Sequence, residues 1–242
     1  MSKKVVNVLK YVFLSIVSLI SVFPFYWMIV AATNKSVDVT RGTLVPGGYL
    51  VENLKSVFAS DLQFLNAYKN SLVIAVTTTA LAMIVSSAAG YAFVVYKTKT
   101  RERIFDFIFA SMMVPFAALM VPLFRLFSNF NNWGLKFIGI NSPAAVIITG
   151  IATAFLIFFF KQNAQTFPKE LIEAARIDGL SEVKIFFTMF IPTMKSTYAA
   201  AIVVTFMGSW NSYLWPKVIM TTSESITMPM VVANIIQGYV TD

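Results

Sequence analysis

Two clusters in this 242-residue chain carry residue types and spacings that could do chemistry. The first is Glu173-Ala174-Ala175, then Asp178-Gly179 and, further on, Ile191-Pro192. Pro168 suits the first position of a helix, where its missing N–H costs nothing. Glu170 and Glu173 lie towards the positive end of that helix. Leu171, Ala174, Ala175 and Asp178 fall at helical spacing, a narrow face of small residues that can slide into a groove. Gly179 can take the left-handed conformation that ends a helix, and Ser181 then caps the next one. Val183, Phe186, Phe187, Phe190 and Ile191 form an amphipathic stripe on that second helix, which Pro192 breaks. An interfacial helix resting on lipid would explain the phenylalanines. It would not explain the alanine face and the glycine. The second cluster is Thr205, Gly208, Ser209 and Ser212, at i, i+3, i+4 and i+7. Such a small polar stripe either lines a path for a hydroxyl-rich solute or packs against a neighbouring helix.

Bond-making chemistry finds little support. With no Cys and no His, thiol nucleophiles, histidine bases and most transition-metal sites are excluded. No G-x-x-x-x-G-K-[ST] loop is present, so the chain cannot cradle nucleotide phosphates itself. Paired carboxylates occur in segment 161–195, where they suit a solvated helix face. We therefore expect no catalytic residue, cofactor or metal in this chain.

The elements that must position both clusters are membrane helices. Apolar residues make up 57% of the chain and the mean hydropathy is +0.73, far from the balance of a soluble domain. Blocks free of charge run 11–34, 70–96, 107–124, 137–160 and 196–216. Each reaches the roughly 18–20 residues a helix needs to cross a bilayer. Five spans are expected, at about 11–32, 70–96, 107–127, 143–160 and 196–216, in a single transmembrane domain covering 1–242. No span interior holds an acidic residue, so an ion-coupled carrier lacks its usual parts. The first block exceeds the roughly 7–15-residue core of a secretory signal, so an uncleaved first helix is expected. Pro24 should kink it. Pro115 and Pro122 make the third span irregular, and its backbone must be sheltered by protein. Thr78, Ala82, Ser86 and Gly90 form a ridge on the second span that lets another helix approach closely. Ser142-Pro143 reads as a cap and first position, and Trp210 and Trp215 as an interfacial aromatic belt.

The net charge of +8 does not point to nucleic acid. Twelve of the 19 basic residues flank the first span, fill the link between the second and third, or lie between the fourth and fifth. By the positive-inside rule that side, with the N-terminus and segment 161–195, is cytoplasmic.

Glu173-Ala174-Ala175, three residues, Gly179, nine residues, then Met189-Phe190-Ile191-Pro192 resembles the EAA loop of ABC-importer permeases. Met189 and Ile191 stand where that family usually has Ile and Leu. The likeness continues through Asn70-Ser71-Leu72, Gly90-Tyr91-Ala92-Phe93, Val114-Pro115, Val121-Pro122-Leu123, Trp210-Asn211 and Leu214-Trp215-Pro216. These resemble the smaller permease of maltose-type carbohydrate importers. The resemblance implies an all-α, type I ABC importer transmembrane domain in a bacterial cytoplasmic (inner) membrane. It implies a second, related permease as partner, two copies of a cytoplasmic ATP-binding subunit and an extracellular sugar-binding protein. Segment 161–195 would be the coupling loop, with Glu173 the charged contact, Ala174 and Ala175 the close-packing face, and Gly179 the turn beside Asp178. Thr205, Ser209 and Ser212 would face the translocation path. The segment 217–242 would meet the binding protein, and the family's sixth span is expected to be missing. The competing classes are a permease for another solute, or a channel or secondary carrier.

Overall fold

A computed structural model describes residues 3–59 and 63–241. Every regular element among them is helical. The chain divides into two compact units, 1–62 and 63–242.

The first unit holds α1 (Lys3–Thr33), α2 (Ser36–Thr40) and α3 (Leu50–Ala59). At 31 residues α1 is long and apolar enough to cross a membrane. It is a single helix that includes Pro24. Its end is tied down by amides: Asn34 donates to the Val30 and Val45 carbonyls, both at 2.9 Å. Asn53 donates in turn to the Ala32 and Asn34 carbonyls.

The second unit is organised by α4 (Phe64–Val95). After it come α5 (Lys99–Ala110), α6 (Phe116–Asn132), α7 (Pro143–Gly150) and α8 (Ala154–Ala164). Next are α9 (Lys169–Ile177), α10 (Glu182–Ile185), a π-helical turn over Phe186–Phe190 and α11 (Ile191–Thr193). The unit ends with α12 (Lys195–Trp210), α13 (Leu214–Ile219) and α14 (Met228–Thr241).

Small residues explain why α4 is the hub. It packs against α7, α8, α12 and α14, and Thr78, Ala82, Ser86 and Gly90 are all buried. A Cβ on Gly90 would lie 2.6 Å from the Phe160 Cβ and 2.7 Å from the Lys161 backbone nitrogen. Backbone cannot yield as a side chain can, so Gly90→Ala should force α4 and α8 apart. Overpacking of this kind costs about 1–3 kcal/mol. We expect a lower thermal unfolding midpoint for the purified Gly90→Ala protein; an unchanged midpoint would show that the helices separate freely.

Several expected boundaries are corrected. The third span, placed at 107–127, is two helices: α5 and its short 3-10 extension meet α6 at a bend of 102°. Val114 is extended because the ring of Pro115 excludes the helical region for the residue before it. Pro122, by contrast, is carried inside α6. The fourth span, placed at 143–160, runs over Pro143–Ala164, with a short non-helical interruption at 151–153 between α7 and α8. The fifth, placed at 196–216, ends as a helix at Trp210, and α13 follows a turn. Pro192 does not end the second loop helix. The wider π turn places the Ile191 N–H on the Phe186 carbonyl and carries the chain past the proline, and the 82° bend into α12 comes at Met194. Pro168 stands at the cap of α9, one residue earlier than expected. Trp215 is no interfacial ring: it is 4% exposed, packed in a core with Phe127, Ala145 and Ile219. The segment 217–242, read as loop, contains the second half of α13 and the apolar helix α14.

Candidate functional site

The turn between α9 and α10 is built as a Schellman motif. Gly179 has φ +78°, its N–H donates to the Arg176 carbonyl, and the Leu180 N–H reaches back to the Ala175 carbonyl, both at 3.0 Å. These bonds satisfy carbonyls that the helix end would otherwise leave open. The Ser181 hydroxyl then accepts from the Lys184 N–H, opening α10. Arg176 Nε lies 2.6 Å from Glu182 Oε1, an ion pair that bridges the turn. Arg176, and after it the Tyr96 hydroxyl, hold the Glu182 carboxyl below its usual range. The pair therefore persists at neutral pH and is lost only as pH falls through that lowered value.

Beneath the turn, Ile172 and Ala175 of α9 and Ile185, Phe186 and Phe190 are buried against Tyr91 of α4. The Tyr91 ring meets Phe186 and Phe190 edge-on, at centroid distances of 5.4 and 4.8 Å. This packing joins the α9–α10 turn to the end of α4. The expected docking face needs one correction. Ala175 points inward, at 3% exposure, whereas Glu173, Ala174 and Asp178 are exposed. The surface offered outward also carries Leu171, Ile177, Val183 and Phe187, with Ile177 86% exposed.

The second cluster lines a cavity of about 330 Å³ among α4, α7, α8 and α12. Thr205, Gly208 and Ser209 reach it from α12. Ser212 lies beyond the end of that helix, so its helical register fails, yet the turn after Trp210 brings it to the same cavity. Sequence reasoning missed the opposite wall. Thr149, Gly150 and Thr153 stand at the break between α7 and α8, with Phe116, Phe155 and Trp215 beside them. Irregular backbone at membrane depth is tolerated where it lines a cavity. Thr153 caps α8, accepting from the Leu156 N–H at 3.3 Å, and a capping threonine inside an apolar block was the available signal. Thr78, read as a packing residue, also lines the cavity. It is 4% exposed, and its hydroxyl has no hydrogen-bond partner. No charged side chain contributes to the lining. Such a surface trades weak hydrogen bonds and offers aromatic faces.

A family profile described as the inner membrane component of binding-protein-dependent transport systems matches residues 82–241. The chain belongs to this family. It is the membrane-spanning subunit of an ABC importer, a multi-pass protein of the inner membrane. The lactose transport system permease protein LacG of Rhizobium radiobacter is 41% identical over 238 residues, 98% of this chain and 84% of that protein. The arabinooligosaccharides transport system permease protein AraQ of Bacillus subtilis is 32% identical, over 94% of this chain and 80% of its own length. The sn-glycerol-3-phosphate transport system permease protein UgpE of Salmonella typhi is 35% identical, over 82% and 71%. In fold, the permease chain is similar to a chain from a bacterial ABC transporter involved in the import of the acidic polysaccharide alginate. The TM-score is 0.81 at 22% identity, over 97% of this chain and 80% of that one.

Proposed function

We propose that this permease carries a neutral carbohydrate, an oligosaccharide, through the cavity at Thr205, Ser209 and Ser212. The carrying observation is the lining itself: hydroxyls and aromatic rings among aliphatic side chains, without a single charge. A phosphorylated solute, as in the name of the glycerol-phosphate relative, would call for cationic partners, so that reading is the weaker one. Hydroxyls suit passage because each hydrogen bond contributes only about 0.5–1.5 kcal/mol net, and cargo can leave as easily as it enters.

The chain supplies no energy source. In our reading two copies of a cytoplasmic ATPase close against the α9–α10 turn, with Glu173, Ala174 and Asp178 at the contact. A second, related permease completes the path, and an extracellular sugar-binding protein delivers the cargo. Affinity purification of the tagged chain in mild detergent tests the assembly. An ATPase and a second permease should copurify, and the complex should take up an oligosaccharide in proteoliposomes. A chain that purifies alone would overturn the proposal.

The orientation is part of the same reading. With basic residues at 97–103 and 161–195 held in the cytoplasm, Lys99 and Lys169 face inward and Lys55 and Lys136 outward. The chain is naturally free of cysteine, so single cysteines at these positions report cleanly. An impermeant thiol reagent on intact cells should label positions 55 and 136 but not 99 or 169. The reverse pattern would invert the topology and remove the coupling proposal with it.

A further inference from the structure

We propose that the hollow where α4 ends, α5 begins and α8 closes is a headgroup site for an anionic phospholipid. Lys97, Lys161, Lys169 and Gln165 line a cavity of about 330 Å³ there. Lys97 also lines an adjoining hollow of about 490 Å³, together with Lys99 and Arg103. Five cations thus share this corner of the fold with one carboxylate, Glu102, which lines both cavities. That carboxylate is already engaged. Lys161 is 8% exposed, and its ammonium sits 3.5 Å from Glu102 Oε2 and 3.4 Å from the centre of the Phe105 ring. A buried ammonium needs such a partner, so Glu102 is occupied in neutralising Lys161. Among the described residues the one other ion pair is Arg176 with Glu182. The remaining cations of the hollow face it without a carboxylate of their own.

Geometry selects a lipid over a soluble anion. α5 carries Lys99, Arg101, Glu102, Arg103 and Asp106 in its first eight residues, too many charges to enter hydrocarbon. With a 102° bend between it and the apolar α6, the proposal has α5 lie along the membrane surface. Beyond the charged first turns, Ile104 and Phe107 are exposed, Phe107 at 80%. A cationic hollow on the helix that also exposes these apolar side chains suits a phosphate headgroup with acyl chains beside it. The positive end of α5 opens onto the same hollow and adds to the field.

This inference rests on the charge of one corner, not on the sugar reading, so either can fail alone. The purified complex, exchanged into nanodiscs of phosphatidylcholine with a minority of phosphatidylglycerol, can be examined for retained lipid by native mass spectrometry. Phosphatidylglycerol should be retained in preference to phosphatidylcholine. Joint replacement Lys97→Ala and Lys169→Ala should lower that retention about thirtyfold, while Lys97→Arg with Lys169→Arg should preserve it. Gln165→Glu, which removes no cation, should also lower it by placing a carboxylate in the hollow. Equal retention of both lipids, or full retention in the alanine variant, would overturn the proposal. Displacement of the lipid by millimolar inorganic phosphate would reassign the hollow to a soluble anion. Unchanged lipid together with loss of the copurifying ATPase would make it a protein contact instead.

Discussion

Gly179→Val should abolish most uptake while leaving the chain expressed, inserted and assembled with its partner permease. Gly179 holds φ +78°, a conformation that costs an L-residue roughly 1–2 kcal/mol and a β-branched one at least that. Space is not the issue, since nothing lies within 4 Å of where a Cβ would stand. The penalty is carried by the backbone, and relief requires the turn to open and α10 to re-aim. Leu180 and the bonds to the Ala175 and Arg176 carbonyls would move with it. Because Phe186 and Phe190 behind α10 pack on Tyr91, a re-aimed α10 no longer relays the closure of an ATPase to α4. Uptake in proteoliposomes should fall about tenfold, the factor that ~1.4 kcal/mol represents. ATP hydrolysis should meanwhile escape stimulation by loaded binding protein. Gly179→Asn is the control, because asparagine tolerates the left-handed region and should retain most of the uptake. Normal coupling in the valine variant would remove Gly179 from the mechanism.

How much of this was legible beforehand depends on which force sets each feature. Apolar block length is dictated by bilayer thickness, so α1 and α4 were readable, as was the small-residue ridge that packs α8. The Gly179 turn was equally plain, because few residues but glycine hold that conformation. Directions were not. Pro115 announces a break, but the 102° bend depends on what α5 can bury, and its five charges decide that. Ala174 and Ala175 are identical in composition. Which one faces out is fixed by the neighbouring Ile172, which joins Ala175 at three-residue spacing beneath the turn. Ser212 fitted a helical period that ends two residues before it, and it meets the cavity because the chain folds back at Asn211. The wall opposite α12 is hidden from a hydropathy pattern, which sees one continuous span where α7 and α8 meet, and only the capping Thr153 marks it. Thr78 was counted as packing because a threonine on a small-residue ridge is usually that. Its unpartnered hydroxyl appears only once the neighbours are in place.

Ser209→Phe should block transport nearly completely, and Ser209→Ala should leave most of it. The cavity holds about 330 Å³, near the lower end of the roughly 300–1,000 Å³ range of small-molecule sites, so one aromatic side chain takes a large share of it. Removing a single hydroxyl forfeits only one weak hydrogen bond, and Thr205, Ser212 and Thr78 remain to replace it. Bulk should therefore outweigh polarity by a wide margin. The competing role for this stripe is a packing face against a neighbouring helix, and the same variant separates the two. If Ser209 lines the path, Ser209→Phe should leave the yield of assembled complex unchanged while uptake collapses. Were the stripe a packing face, the phenylalanine would prevent the partner permease from copurifying at all. Thr78→Val supplies a third arm, equal in size and lacking the hydroxyl. If the buried hydroxyl meets passing cargo, the valine variant should lower uptake by a few-fold, within the roughly twofold to twelvefold that one hydrogen bond allows, with assembly intact. An unchanged rate would leave Thr78 on the cavity wall as a spacer and shift the contact with cargo to the α12 side.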